Sequence, residues 1–322
     1  MLNASLYGVL LEARESGAVG AVYGAIGGSE GILKERFLNL SRFPEEELKK
    51  LLTTPGTAIG SSRYALEEED YKAMEAIFRK HHIRYVLFNG GNGTMDACGK
   101  LVRALGPDSD IRVAGIPKTI DNDIWGTDMT FGFQSAVNIA TNAIDCIHTT
   151  AASHGRVFIV EVMGHKVGSL TLHAGIAGGA DIILIPEIPY DIEKVVAAIQ
   201  KRSKAGKRFT ILAVAEGAIS KEDALLSKKD YKKKLEDRAK KYPSVSYEIA
   251  DKITQKLGSE VRITVPGHTQ RGGAPCAYDR VLSTRIGAGA AEAILDGEYG
   301  IMIGIVNGKI KRVPLEECAG KL

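Results

Sequence analysis

Tyr85-Val86-Leu87-Phe88-Asn89-Gly90-Gly91-Asn92-Gly93-Thr94 is the stretch that decides the fold. Its first four residues form a short apolar run, the pattern of a strand buried on both faces. Glycines follow at once. The periodic run beyond them predicts a helix from about residue 92 to 105. A buried strand, a glycine turn and a helix make the opening of a βαβ unit. The same alternation recurs downstream. Residues 111–116, 156–162, 181–185 and 209–215 read as strands, with helices at 133–149, 170–177 and 192–203. Upstream, Leu6, Val9, Leu10 and Leu11 give residues 3–15 a helical stripe. Residues 20–23 read as a short strand, and Gly24, Gly27, Gly28 and Gly31 as a loop. Helices are expected over 44–52 and 71–82. Together these predict an α/β fold of two Rossmann-like lobes, with mainly parallel sheets sandwiched by helices.

Composition bounds what such a chain does. With 322 residues, of which 44% are apolar and 25% charged, it has ordinary globular usage and room for two lobes. Lys plus Arg total 42 against 39 for Asp plus Glu, a formal charge of only +3. That balance carries no general footprint for nucleic acid or a membrane surface. Four scattered cysteines without a CxxC pair argue against a disulfide scaffold or a zinc site. No apolar run spans a membrane and no signal-peptide pattern opens the chain, so a cytoplasmic location is expected. Residues 221–241 hold nine basic and five acidic side chains. They read as a solvated helical hairpin, or else as a basic patch for an acidic effector.

Three clusters carry chemistry. In Gly90-Gly91-Asn92-Gly93-Thr94, glycines let backbone N–H groups approach phosphate oxygens at a helix N-terminus, and Thr94 is a candidate cap and phosphate contact. Pro117-Lys118-Thr119-Ile120-Asp121-Asn122-Asp123 follows the next strand. One of its carboxylates suits a general base toward a hydroxyl and the other an orienting role, while Lys118 counters phosphate charge; an Asx-rich turn with a helix cap is the plainer alternative. Pro266-Gly267-His268-Thr269-Gln270-Arg271-Gly272-Gly273 offers an imidazole and a guanidinium for a phosphate monoester. Arg63, Arg156 and Arg262 are further cations, each of which, taken alone, reads first as a surface ion-pair partner. Glu161 and Glu216 are candidate acceptors for sugar hydroxyls, Glu216 the better placed after its apolar run. Met163-Gly164 reads as a turn over a site, with Met163 as packing.

In these residues the chain resembles the phosphofructokinase family: GGNGT at 90–94, PKTIDNDI at 117–124, GTD at 126–128, VEVMG at 160–164, IAGGAD at 176–181, AEG at 215–217, GHTQRGG at 267–273 and YDR at 278–280. The resemblance runs the whole chain in order and is closest to the branch with PKTIDND. It implies transfer of a phosphoryl group from ATP to the 1-hydroxyl of fructose 6-phosphate, with Mg²⁺, in the cleft between the lobes. Asp121 is then the base, supported by Thr119 and Asp123, and Arg63 neutralises the moving phosphoryl group. Met163, Gly164, Glu216, His268 and Arg271 hold the sugar phosphate. Arg156 and Arg262 reach it from a neighbouring subunit, so a homodimer or homotetramer with shared sites is implied. Gly91, Asn92, Gly93, Thr94 and Lys118 face the donor, and Asn92 with Asp121 the metal. The implied division is a donor lobe at 1–125, a sugar lobe at 126–290 with a basic insertion at 221–245, and a C-terminal return at 291–322.

The donor is decided at two positions. Glycine at 93 leaves room for a nucleotide, where pyrophosphate users carry a crowding aspartate. Lys118 points to pyrophosphate, the alternative donor. Three features depart from the family pattern. Asn92 stands where an aspartate helps hold Mg²⁺, and His165 where arginine follows Met-Gly. Residues 1–5 match the start of the family's first helix, so the preceding strand and glycine-rich loop are expected to be missing, with poor activity. A non-catalytic sugar-phosphate-binding homologue is the remaining alternative.

Overall fold

The computed structural model describes residues 1–321. In chain order the elements are α1 (Leu2–Glu15), β1 (Tyr23–Ala25), α2 (Gly28–Leu33), β2 (Phe37–Asn39), α3 (Glu45–Lys49), α4 (Glu68–Lys80), β3 (Tyr85–Gly90), α5 (Asn92–Leu105), β4 (Arg112–Thr119), β5 (Phe131–Gly132), α6 (Phe133–His154), β6 (Val157–Val162), α7 (Ser169–Ala177), β7 (Ile182–Leu184), α8 (Ile192–Lys204), β8 (Thr210–Ala215), α9 (Lys221–Ala224), α10 (Lys228–Lys241), α11 (Val245–Leu257), β9 (Val261–Thr264), α12 (Ala277–Leu295), β10 (Ile301–Val306), β11 (Lys309–Pro314) and α13 (Leu315–Cys318). The chain forms two compact units, Met1–Gln134 with Gly272–Leu322, and Ser135–Arg271. Residues 126–134 and 272–290, placed by the family pattern with the sugar lobe, therefore pack in the first unit. The cause is α12, which packs on α1 and β4.

The first unit is built on a sheet of order β11-β10-β4-β3, with β5 also paired to β4. β3, β4 and β10 run parallel, and β11 closes back antiparallel on β10. β4 is interior and correspondingly apolar: Val113, Ala114 and Ile116 are all buried. α4 covers the sheet through Tyr71, Met74 and Phe78, spaced i, i+3, i+7 and buried, while a Glu67–Asp70 capping box starts the helix. Among the described residues β3 is the outer strand, and a cavity of about 1240 Å³ runs along it. Two sequence expectations shift here. The strand expected at 20–23 starts three residues later, as β1. Gly28 and Gly31 are not loop but lie in α2, because Ile32 is buried against the core and holds the turn helical.

The second unit holds a fully parallel sheet, β7-β8-β6-β9. Every residue of β6 and β8 is buried, as their mainly apolar runs require, Glu161 and Thr210 being the polar exceptions. α8 and α11 pack on the sheet through Val195, Val196, Ile199, Ile249 and Ile253. The basic segment is a helical pair, α9 and α10, and α10 buries no residue. It is tethered by Lys234, hydrogen-bonded to buried Asp223 and held above the usual lysine range by that bond, and by Arg238 facing Glu248. No helix among the described residues is long and apolar enough to cross a membrane.

Candidate active site

β3 delivers the chain directly into the glycine turn of the first unit. Gly91 is the N-cap of α5, extended at φ −84° and ψ −161°, and its carbonyl accepts from Thr94 N at 2.9 Å and Met95 N at 3.0 Å. No side chain caps this helix, so Thr94 does not play the role its type suggested. It packs against Gly90 instead: a Cβ at 90 would lie 2.1 Å from Thr94 Oγ1. Gly93 is different. It is exposed, and a Cβ there would meet nothing within 4 Å. The uncapped first turn leaves backbone donors and a partial positive charge facing outward. Gly91, Gly93, Thr94, Lys118 and Arg63 line the same cavity. Arg63 sits in an extended loop, exposed and with no ion pair among the described residues.

β4 runs three residues beyond its expected end and carries Lys118 and Thr119 into this region. Thr119 is buried, and its Oγ1 accepts from Asp121 N at 3.0 Å, turning the chain at the strand's carboxyl end. Asp123 goes to the glycine turn: Asn92 Nδ2 donates to Asp123 Oδ2 at 2.8 Å and to Asp123 O at 3.2 Å. Asn92 thus pairs with Asp123, whereas the family pattern had joined it to Asp121 around a metal. Asn92 Oδ1 and Asp123 Oδ1 are left buried with no hydrogen-bond partner. Among the described residues no three His, Cys, Asp or Glu side chains cluster as a ready-made metal site. Asn122, between the two acids, carries no role in the sequence reading. It has φ +53° and bonds Thr130 and Asp128. Its signal was the Asx-turn reading itself.

In the second unit, Met163 and Gly164 leave β6 as a turn pinned from two sides. Glu216 Oε1 accepts from Gly164 N at 3.1 Å and His165 N at 2.7 Å. Met163 N donates to Gln270 Oε1 at 3.3 Å. Gly217 must be glycine, since a Cβ there would lie 2.2 Å from His165 O. Gln270 is buried at the heart of a 3₁₀ turn, Gly267–Arg271, and its Nε2 donates to Gly267 O. His268 and Arg271 flank it, both exposed. The carboxyl ends of β6 and β8 therefore gather Met163, Gly164, Glu216, His268 and Arg271. Gln270, missed as an individual in the sequence, is what ties the two turns together.

Arg156 and Arg262 are elsewhere. Arg156 precedes β6, Arg262 pairs opposite Phe158, and both face Glu260, at 3.4 and 2.7 Å. Seven residues of extended chain separate Arg156 from Met163, about 23 Å at roughly 3.3 Å per residue. Glu161 is also not a ligand group. It is buried and accepts from Ser244 Oγ and Ser246 N, which fixes it as the anchor of the α11 N-terminus.

A glycine turn between buried strand and uncapped helix, with carboxylates at the end of the neighbouring parallel strand, defines a phosphate-handling α/β protein. A family model described as Phosphofructokinase matches residues 1–294. An ATP-dependent 6-phosphofructokinase of Spirochaeta thermophila is 48% identical over 284 residues, 84% of this chain and 76% of that protein. A pyrophosphate–fructose 6-phosphate 1-phosphotransferase of Amycolatopsis methanolica is 41% identical over 280 residues, 86% of this chain and 80% of that protein. The crystal structure of a pyrophosphate-dependent phosphofructokinase from Marinobacter aquaeolei matches with a TM-score of 0.83 at 27% identity, covering 99% of this chain and 81% of that one. The chain belongs to the phosphofructokinase family and is a phosphotransferase.

Proposed function

We propose that the chain transfers the γ-phosphoryl group of ATP to the 1-hydroxyl of fructose 6-phosphate. Asp121 takes the proton of that hydroxyl as its oxygen attacks the γ-phosphorus. The bond from that phosphorus to the β,γ-bridging oxygen breaks, and ADP leaves. Arg63 offsets the charge on the moving group, and the first turn of α5 faces the nucleotide's inner phosphates. Glu216, His268 and Arg271 hold the sugar phosphate, with Met163 and Gly164 along the sugar. The observation that carries the reading is the 119–123 segment. Thr119 sets Asp121 at the end of β4 while Asp123 is bonded into the glycine turn.

Mg²⁺ fits the residues present. Asn92 Oδ1 and Asp123 Oδ1 are buried oxygens without partners, the hard donors this ion accepts, and it commonly draws its other ligands from phosphate and water. Bound there with the donor, it would neutralise phosphate charge.

Pyrophosphate is the second reading, favoured by Lys118 on the donor cavity and by the names of two relatives. The open space at Gly93 supports ATP. A coupled assay of fructose 1,6-bisphosphate formation, run with each donor in turn, tests the choice; turnover with pyrophosphate alone would overturn ATP, and turnover with neither would overturn the reaction.

Shared sites support a homo-oligomer. Arg156, just before β6, and Arg262, on β9 opposite Phe158, lie too far from the carboxyl end of β6 to meet a sugar held at Met163 and Glu216 of their own chain, so they serve a neighbour's site. A cytoplasmic setting accords with four scattered cysteines that form no CxxC pair.

A further inference from the structure

We propose that Asn122 is the positioning residue of this reaction: by reversing the backbone between Asp121 and Asp123 and stapling the 119–130 loop, it sends the two carboxylates to separate tasks. The inference rests on the reading of Asp121 as the base.

Residues in extended chain alternate sides, so carboxylates at i and i+2 would ordinarily project the same way. Asn122 breaks that rule. It adopts φ +53°, a left-handed conformation that asparagine tolerates better than most side chains. The Asp123 carboxylate thereby meets Asn92 at the glycine turn, while the backbone N–H of Asp121 stays on Thr119 Oγ1.

The side chain then holds the reversal in place. Asn122 Oδ1 accepts from Thr130 N at 2.8 Å and faces Thr130 Oγ1 at 3.2 Å. Asn122 Nδ2 donates to Asp128 O at 3.2 Å. Both partners are themselves fixed. Thr130 is fully buried and its hydroxyl also reaches Thr119 O at 3.0 Å. Asp128 N donates to Ile305 O, and Asp128 Oδ2 accepts from Asn307 N, tying the far side of the loop to β10. Asn122 therefore links the Thr130 contact on β4 to the Asp128 contact on β10, and the residue it adjoins is the base. A base displaced by about 1 Å loses up to 10²-fold in rate without losing its ligand.

Two substitutions separate backbone from side chain. Asn122→Gly keeps the left-handed conformation and removes the staple. Asn122→Asp keeps both the conformation and the oxygen that accepts from Thr130. Asn122→Gly is expected to lower kcat about 30- to 100-fold, with KM for fructose 6-phosphate and for the donor within about threefold of native. Asn122→Asp keeps the acceptor for Thr130 but loses the donor to Asp128 O and adds a charge between two acids, so it is expected to recover about threefold of that loss. Calorimetric titration with fructose 6-phosphate counts the folded, binding-competent fraction in each variant, so kcat is expressed per competent site. A kcat for Asn122→Gly within threefold of native, or a loss that vanishes per competent site, overturns the inference. So does an Asn122→Asp no faster than the glycine variant. Asp121→Asn run alongside separates the two claims. If it retains native turnover, the base assignment itself fails; if it is inactive while Asn122→Gly is native, only the positioning role fails.

Discussion

Gly93→Asp separates what the donor turn needs for folding from what it needs for its ligand. Gly93 is the second residue of α5, exposed, with nothing within 4 Å of the Cβ it lacks. An aspartate there meets no steric penalty in the free protein. It should stabilise α5: removing a helical glycine is worth about 0.5–1 kcal/mol, and a carboxylate in the first turn adds roughly 0.3–1 kcal/mol. The ligand sees the opposite. A carboxylate about 4 Å from a nucleotide phosphate costs about 4 kcal/mol at an effective dielectric near 20. Screening and side-chain rotation reduce that to roughly 2–3 kcal/mol, or about 30- to 150-fold in kcat/KM for ATP. Pyrophosphate has no α-phosphate to meet that charge, so kcat/KM with it changes little. The assay pairs steady-state kinetics on both donors with thermal denaturation. Tm should hold or rise while ATP turnover falls. A falling Tm, an equal loss with both donors, or unchanged ATP kinetics would each refute the reasoning.

Two further outcomes follow from the second unit. Arg262→Ala and Asp121→Ala should each be nearly inactive alone, but unfolding and reassociating an equal mixture should restore activity toward about a quarter of native, because half the dimers then hold one intact site built from two chains; no recovery would mean that each site is completed within one chain. Glu161→Gln should lose about 1–3 kcal/mol of stability in urea denaturation, since it weakens a buried acceptor at the start of α11, while kcat per folded molecule stays native; a kcat loss at unchanged stability would return Glu161 to the sugar site.

Local pattern reached far in this chain, and its failures share one cause. β3, the glycine turn and α5 were legible because an apolar run, three glycines and a helical period lie within about twenty residues. The 117–123 segment was legible as chemistry because its residue types are unusual at a strand's end. What no window contains is the identity of a partner distant in sequence. Glu161 looked like Glu216, each an acid at a buried strand's end; only the folded chain sets Ser244 and Ser246 beside the first, and the Gly164–His165 turn beside the second. Gln270 is visible inside a quoted motif yet has no assigned work there, since its hydrogen bond to Met163 crosses 107 residues of chain; Asn122 bonds within 8 residues, but the loop that brings Thr130 back to it is held by β10, far along the chain. The extent of the first unit rests on the same kind of contact: α12 packs on α1 across more than 260 residues.

The central claim is that Asp121 is the base, and replacing its carboxylate tests it most directly. Asp121→Asn keeps the shape of the side chain and removes its ability to take a proton. Rates in the coupled assay are to be read against the dissociation constant of fructose 6-phosphate measured by calorimetry on the same sample. The account predicts kcat lower by about 10²- to 10⁴-fold with sugar affinity within about threefold. A kcat close to native, or a loss carried wholly by weaker sugar binding, would contradict it.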